Sequence, residues 1–340
     1  MASIITRRSL KVDRAAMKFA APFRISGYVF EAMPSVVVRI GDAGCTGRGE
    51  AAGVYYVGDD QDHMVGAIER VRADIEAGAD RHDLQSLLPP GGARNAVDCA
   101  LWELDSLRCA TPVWALAGVP KPRARVTTFT LPADEPAELH DKVRRLDFAK
   151  AIKLKFDGDL DCDRERLAVV RAARPDVWLA VDANQGFSSA DLDQLEEMLV
   201  NHKVSLLEQP VARGQEDVLA GWRPPFPIAA DESILDLRDL EAKAALFDAI
   251  NIKLDKCGGL TEALAMARVA SAMGKQLMVG NMGGSTLAMA PGFVLAQLCD
   301  VVDLDGPVGL ADDPLASQIY ADGEIFVPEA IWGAESPRAE

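Results

Sequence analysis

Positive charge is in short supply in this chain. Its 36 Lys plus Arg stand against 52 Asp plus Glu, a formal charge of −16. That balance repels nucleic-acid phosphate and anionic lipid, so neither nucleic acid nor a membrane surface is an expected partner. The six cysteines, at 45, 99, 109, 162, 257 and 299, have neither paired metal-ligand spacing nor the density of a disulfide framework, which suits a reducing compartment. No apolar run is long enough to span a bilayer; the longest, LAMAPGFVLA, reads as a helix. No secretory leader is expected, and the cytoplasm is the expected location. A glycine-rich phosphate fingerprint is also missing. What remains is 340 residues, 49% hydrophobic and 26% charged, enough for two cores.

Five ionisable residues fall on one ruler. Lys155, Asp182, Glu208, Asp231 and Lys256 are separated by 27, 26, 23 and 25 residues, and each ends a short apolar run: AIKLK, VWLAVD, VSLLE, PIAAD and AINIKLDK. Such a period fits a strand of about five residues, a helix and two short loops. Extended backwards it meets RVTTFTL at 125–131, and forwards KQLMVGN, ending at Asn281, and DVVDLD, ending at Asp305. Eight strands of this kind predict a (β/α)₈-type barrel, whose reacting residues stand at the C-terminal ends of the strands. The alternative is a doubly wound sheet with charges at loop starts.

Residues 1–124 are too many for a linker and read as an α+β domain. ITRRSLKV and PSVVVRIGDAGCTGRGEA look like strands, the second a hairpin turning at Asp42 to Gly44; DHMVGAIERVRADIEA and ARNAVDCALWELDSLRC carry helical periodicity. The barrel is assigned to 125–314. The segment 315–340, with IYADGEIFVPE as a turn and short strand, is expected to return to the first domain.

At the ends of neighbouring strands, Asp182, Glu208 and Asp231 would converge on one point. Three like charges stay ionised together only around a cation, and hard carboxylate oxygens without histidine or thiolate favour Mg²⁺, or Mn²⁺, over zinc. Singly, each carboxylate reads equally well as a helix N-cap or an ion-pair partner. Asn184, two residues past Asp182, either orients a ligand or a metal-bound water or serves as a turn residue. Lys153 and Lys155 alternate on one strand face, so both point into the barrel. An ammonium beside a second ammonium and a metal has its pKa lowered, so Lys153 is expected to tune Lys155 as a base. Lys256 would face it across the barrel mouth. Snorkelling surface lysines are the alternative, with Lys253 close by.

A metal and two opposed lysines suit removal of a proton α to a carboxylate, with charge stabilised as an enediolate. Return of a proton to the opposite face inverts the centre; departure of a β leaving group gives elimination. The metal residues alone do not choose between them.

KLK at 153–155, DAN at 182–184, EQP at 208–210, ADES at 230–233 and KCGG at 256–259 together resemble the enolase superfamily, in its muconate-lactonizing enzyme subgroup, and most of all its dipeptide epimerases. The resemblance covers nearly the whole chain. It implies a capping domain over a modified barrel, often counted as (β/α)₇β; Mg²⁺ held by Asp182, Glu208 and Asp231; Lys155 and Lys256 as the acid/base pair; Asn184 and Glu232 beside the ligands; and a homo-oligomer. Asp303 and Asp305 in DLD resemble that family's clamp for a substrate ammonium. Two carboxylates opposite a metal suit a zwitterion; capping of the next segment is the alternative. Thr128 is a candidate to hydrogen-bond the peptide and Asn281 to close the strand-seven side. For side-chain preference, Arg24 would recognise an acidic residue such as Glu, whereas Tyr28, Tyr55 and Tyr56 would build an apolar or aromatic pocket. The expected activity is epimerisation of a dipeptide, with L-Ala-D/L-Glu the first choice. The rivals are N-acylamino acid racemase/o-succinylbenzoate synthase, a cycloisomerase, and a catalytically idle carboxylate-binding protein.

Overall fold

The computed structural model describes residues 8–25 and 28–335; the side chains of 23–25 and 28 lie outside the described residues, as do Arg24 and Tyr28 in their candidate roles. The N-terminal region opens with an antiparallel sheet of β1 (Ser9–Ile25), β2 (Tyr28–Asp42) and β3 (Cys45–Ala51). Its second hairpin turns at Ala43 and Gly44, both at positive φ, the conformation a two-residue turn between twisted strands requires. Helices α1 (Gln61–Arg70), α2 (Arg72–Ala77), α3 (Arg81–Leu87) and α4 (Gly92–Cys109) follow. The helix expected over 62–77 is broken at Val71, whose ψ of 8° leaves the helical range. The longest, α4, lies directly on β3. A Cβ at Gly47 would sit 2.0 Å from the Ala100 carbonyl and one at Gly49 2.1 Å from that of Ala96, so only glycines allow this approach.

After a short helix α5 (Val113–Leu116) and the two-residue β4 (Arg125–Val126), the chain enters an eight-stranded parallel sheet. Its strands are β5 (Thr128–Leu131), β6 (Ala151–Lys155), β7 (Trp178–Asp182), β8 (Leu206–Glu208), β9 (Ile228–Ala230), β10 (Ala249–Lys253), β11 (Gln276–Gly280) and β12 (Val301–Val302), paired in chain order. The intervening helices are α6 (Pro136–Arg145), α7 (Leu160–Ala173), α8 (Leu192–Asn201), α9 (Leu237–Lys243), α10 (Leu254–Cys257), α11 (Leu260–Ala272) and α12 (Thr286–Leu295). The sheet curls into a nearly closed barrel whose seam, between β5 and β12, is held by side chains. Leu304 N donates to Thr127 Oγ1 (3.0 Å), Thr128 Oγ1 to Asp303 Oδ1 (2.6 Å) and Thr130 N to Asp305 Oδ2 (2.7 Å).

Several expectations change in detail. The run 125–131 is split between two sheets, since Arg125 and Val126 pair with β14 (Glu324–Ile325), itself hairpinned to β13 (Tyr320–Ala321). The β8 to β9 crossover is a 3₁₀ turn at Glu216–Leu219 rather than an α-helix; Pro210, Gly214, Gly221, Pro224, Pro225 and Pro227 crowd that stretch and prevent one. Beyond β12 come a 3₁₀ turn and the four-residue α13 (Ala316–Ile319), not a full barrel helix. The tail reaches back to the N-terminal region: Trp332 Nε1 donates to Arg48 O, Arg48 Nη2 to Ile331 O and Gly333 N to Glu103 Oε1.

Strand alternation builds the barrel interior in two layers. Ala180, Leu206, Ala229, Ala249 and Met278 form a buried apolar cluster. Two residues further along their strands come Asp182, Glu208, Asp231, Asn251 and Gly280. The apolar plug below thus sets the charged residues at the C-terminal mouth.

Candidate active site

The parallel register puts Lys155 beside Asp182 and Asp182 beside Glu208, with Asp231 one residue past the end of β9. One oxygen from each of Asp182, Glu208 and Asp231 lies within 4.8 Å of the others, and all three residues are buried. Glu208 Oε2 is buried with no hydrogen-bond partner. Burial of such an atom is costly unless something pairs with it. A hard, oxygen-only donor set with an orphaned carboxylate oxygen fits a divalent cation of the Mg²⁺ kind.

Lysines line both flanks of this triad. Lys155 Nζ donates to Asp182 Oδ2 (2.9 Å) and Lys256 Nζ to Asp231 Oδ1 (2.7 Å), Asp231 O (2.6 Å) and Asn251 O (3.0 Å). Lys253 Nζ donates to Asp231 Oδ2 at 2.6 Å, and Lys153 pairs with Asp303 while standing 3.5 Å from Glu208 and 3.7 Å from Asp182. Burial opposes charge on each carboxyl, but Lys155 and Lys153 hold Asp182 below its ordinary range, and Lys253 and Lys256 hold Asp231 below it. Glu208 is left with burial and the charge of Asp182 and rises to about 7.

Lys153, the expected tuning partner of Lys155, is held in its charged form. Burial would lower its ammonium, yet Asp303, Glu208 and Asp182 outweigh burial and raise it. The lysine pushed below its ordinary value is Lys256, by burial first and by Lys253 beside it against the pull of Asp231. Nor does Lys256 end a strand: β10 stops at Lys253, and Lys256 belongs to the short α10. Lys256 lines a separate pocket with Asp59 and Arg213 and is absent from the wall of a cavity of about 220 Å³ at the barrel mouth, which Lys155 and Lys253 line.

Asp303 and Asp305 both face this cavity, with Asn281, Asn184 and Glu232. Their circumstances differ. Asp303 is buried and already engaged by Lys153 and Thr128, whereas Asp305 accepts from Thr130 N and, at 3.4 Å, from Asn281 Nδ2. Burial, aided by the charge of Asp303, raises the Asp305 carboxyl. Thr128 therefore holds Asp303 instead of reaching into the cavity, and it is Thr130 that lines the wall. Asn281 donates to Asp303 O (2.8 Å) and accepts from Gly283 N. Asn184, at positive φ, lies 3.5 Å from Lys155 Nζ through its Oδ1. Glu232 is buried beside Asp231, its Oε2 unpartnered, and burial together with that neighbouring charge lifts it to about 8.

Tyr55 and Tyr56 close the cavity from the N-terminal side, with Phe19 and Met33. Three further residues escaped sequence reasoning. Lys253 was legible from its place in AINIK, since alternation with Ala249 and Asn251 sends it inward. Asn251 donates to Glu208 Oε1 (2.7 Å), and Gln209 Oε1 accepts from Asp231 N and Ser233 N, holding the turn that presents Asp231. The positive φ of Gln209 has no signal in the residue type.

Residues 7–118 match the mandelate racemase/muconate lactonizing enzyme N-terminal domain, and residues 137–329 the enolase C-terminal domain-like family. The chain is 35% identical to the L-Ala-D/L-Glu epimerase of Escherichia coli over 322 residues, covering 94% of this chain and all of that one. An enolase family member from Agrobacterium tumefaciens with homology to dipeptide epimerases, solved with sodium and L-Ala-L-Glu, superposes with a TM-score of 0.90 at 34% identity over 96% of this chain and 100% of that one. A dipeptide epimerase from Methylococcus capsulatus, solved with Mg and L-Arg-D-Lys, gives 0.88 at 28% identity, covering 97% and 99%. Both halves of the chain match, and they match in the order that sets a lysine on each flank of a carboxylate triad: the protein belongs to the mandelate racemase/muconate lactonizing enzyme family of the enolase superfamily and is an isomerase of its dipeptide epimerase type.

Proposed function

We propose that the protein epimerises a dipeptide at the α carbon of its C-terminal residue by 1,1-proton transfer, with Lys155 and Lys253, which both line the cavity, serving opposite faces in place of the expected pair Lys155 and Lys256. The observation that carries this reading is the flanking of Asp182, Glu208 and Asp231 by these two lysines, with Asp303 and Asp305 on the same cavity wall. Asp182, Glu208 and Asp231 would hold Mg²⁺, whose charge when bound offsets the negative charge that spreads onto the substrate carboxylate as the α-proton leaves.

The chain's own residues do the rest. A neutral lysine on one face takes the α-proton, and the electron pair moves into the carboxylate as an enediolate. The protonated lysine opposite returns a proton to the α carbon, so the centre inverts and the two lysines exchange protonation states. Lys256, bonded to Asp231 Oδ1 and to the Asp231 and Asn251 carbonyls, braces the turn that presents Asp231 and does not line the cavity. Asp305, less engaged than Asp303, is the chief partner for the dipeptide's ammonium. Tyr55 and Tyr56 cover the site and exclude water.

L-Ala-D/L-Glu is the first dipeptide to test, because the Escherichia coli relative at 35% identity is an L-Ala-D/L-Glu epimerase. A dipeptide library incubated with the protein and Mg²⁺ in D₂O, read by mass spectrometry, should show one deuterium gained at the C-terminal residue together with epimerisation. No deuterium in any free dipeptide, with label instead in N-acylated amino acids, would replace this reading by an N-acylamino acid racemase.

A further inference from the structure

Among the described residues, the buried side-chain atoms without a hydrogen-bond partner are Tyr56 Oη, Glu208 Oε2, Glu232 Oε2 and Asn251 Oδ1. The Asn251 oxygen is the least expected of them, because it belongs neither to a carboxylate of the site nor to a side chain of the cavity wall. Asn251 is fully buried in the middle of β10. An amide oxygen kept dry without a donor is costly unless a donor reaches it in some state of the molecule.

The other end of the amide is already spent. Asn251 Nδ2 donates to Glu208 Oε1 at 2.7 Å. A carboxylate only accepts, so the amide nitrogen must face Glu208 and the amide oxygen must face away. The same bond occupies one Glu208 oxygen and leaves Oε2 over.

Beside the orphaned amide oxygen stands Lys253. Asn251 and Lys253 are two residues apart on β10, so alternation sends both into the barrel. The next strand makes room for them. Lys253 is in register with Gly280 of β11, and a Cβ at Gly280 would lie 2.5 Å from Asn251 Oδ1 and 2.9 Å from Lys253 Cε. Amide oxygen and lysine stem therefore converge on one point where the chain has no side chain. Lys253 Nζ itself donates to Asp231 Oδ2 at 2.6 Å, and the surrounding carboxylates hold its ammonium charged. To act at an α carbon the lysine must leave that carboxylate, and a buried ammonium still needs an acceptor when it does. A neutral amide oxygen holds it without the full charge that locks the proton on.

We propose that Asn251 is a positioning residue for both halves of the site: its amide nitrogen turns Glu208 so that Oε2 is offered to the cation, and its amide oxygen receives Lys253 Nζ when that lysine leaves Asp231. The second half rests on the reading of Lys155 and Lys253 as the two bases.

Two measurements on the full chain separate the halves. The first needs no turnover: Mg²⁺ is titrated calorimetrically into the protein without substrate. In Asn251→Leu its Kd should rise by about 10–100-fold, the usual cost of removing a group that orients a metal ligand. The second follows loss of the α-hydrogen in D₂O from the L,L and L,D dipeptides separately, with Mg²⁺ saturating each variant. Lys253→Ala first identifies the epimer whose exchange depends on Lys253. In Asn251→Leu exchange from that epimer should fall by on the order of 10²-fold, at least about ten times more than exchange from the other, since a small displacement of a reacting group costs that much in rate. If Asn251→Leu does not fold, Gly280→Ala, which removes no polar group but crowds the amide oxygen and Lys253 Cε, should show the same one-sided loss. Unchanged Mg²⁺ affinity in folded Asn251→Leu would overturn the role toward Glu208. Equal losses for the two epimers, or none, would overturn the role toward Lys253. Wild-type protein that exchanges neither epimer would overturn the dipeptide reading itself, and the Mg²⁺ titration would still decide the first half.

Discussion

The two flanks of the carboxylate triad reach similar chemistry by unlike construction. On the β6 flank, strand alternation aims Lys153 and Lys155 into the barrel, and neighbouring strands hold them. On the other flank alternation delivers Lys253, while Lys256 arrives from a turn held by a second domain. The β6 flank is also tied to the barrel seam, because Lys153 pairs with Asp303 and Asp303 accepts from Thr128 on the first strand. The cavity-facing lysines of both flanks, Lys155 and Lys253, are thus built into the sheet, and what depends on the contact between domains is Lys256 behind Asp231's turn.

The largest effects should come from removing the bases themselves. General acid–base groups contribute on the order of 10²–10⁴-fold, and inversion needs both. Lys155→Ala and Lys253→Ala should each lower epimerisation by at least that factor, while each retains α-hydrogen exchange from one epimer, opposite in the two variants. Proton NMR in D₂O reads this directly. If both variants lose the same epimer's exchange, the two flanks do not serve opposite faces.

The ammonium clamp sharpens the comparison, because its two carboxylates are differently engaged. Breaking a buried charge pair costs roughly 2–5 kcal/mol, which is about thirty-fold to several-thousand-fold in kcat/KM. Asp305→Asn should show that loss with a free dipeptide and little further loss with an N-acetylated one, so the two changes couple strongly in a double cycle. Asp303→Asn should behave otherwise. It also strips Lys153 of its partner on the β6 flank, so it should impair both substrates and couple more weakly. Equal turnover of free and N-acetylated dipeptides by the wild type would remove the clamp.

The triad belongs to both flanks, and perturbing it should erase their difference. Chelation with EDTA should stop exchange from both epimers, and Mg²⁺ should restore both. Ligand at about 100 times its Kd stabilises a protein by about 2.7 kcal/mol, so the thermal midpoint should rise with Mg²⁺ in the wild type and rise less in Glu208→Gln. Undiminished exchange in metal-free protein would sink the assignment of these carboxylates.

The same contrast explains what could be read from the chain. The barrel was legible because period-2 alternation and a repeat near 25 residues survive in the sequence, and the carboxylates followed from being the acidic ends of three consecutive runs. Where the chain leaves the strand, the signal fails. Lys256 fits the ruler only because the turn after β10 is short, and the partners of the segment that follows it, Arg94 and Asp98, lie in another domain, among helical residues whose stripe reads as ordinary amphipathicity. Thr128 was misplaced for a related reason: strand position gave its direction but not that the barrel seam would claim its hydroxyl. Arg125 and Val126 looked continuous with the first strand, and only pairing with the distant C-terminal hairpin separates them.

A smaller effect should appear in the pH dependence of stability at the interdomain contact. Burial raises Asp98 to about 6 despite its bonds from Thr261, and burial with the nearby charge of Asp59 raises Asp255 to about 7 despite its bond from Gly53 N. In the unfolded chain both titrate near the ordinary aspartate value of about 3.9. Between that value and the folded one, the folded state holds more protons, so the contribution of these groups is full below about pH 4 and is lost as pH rises through 6 and 7. The slope is at most about 1.4 kcal/mol per pH unit for each group. Glu208 and Glu232 are raised into the same range, so the comparison must be made against a variant and with Mg²⁺ present. In Asp255→Asn the side-chain oxygen can still accept from Gly53 N but no longer ionises. Denaturant unfolding at pH 5 and pH 7 should therefore show the wild type losing on the order of 1–2 kcal/mol more than the variant across that interval. Parallel losses would mean that Asp255 is ionised in the folded protein throughout, and that the contact behind Lys256 is insensitive to pH.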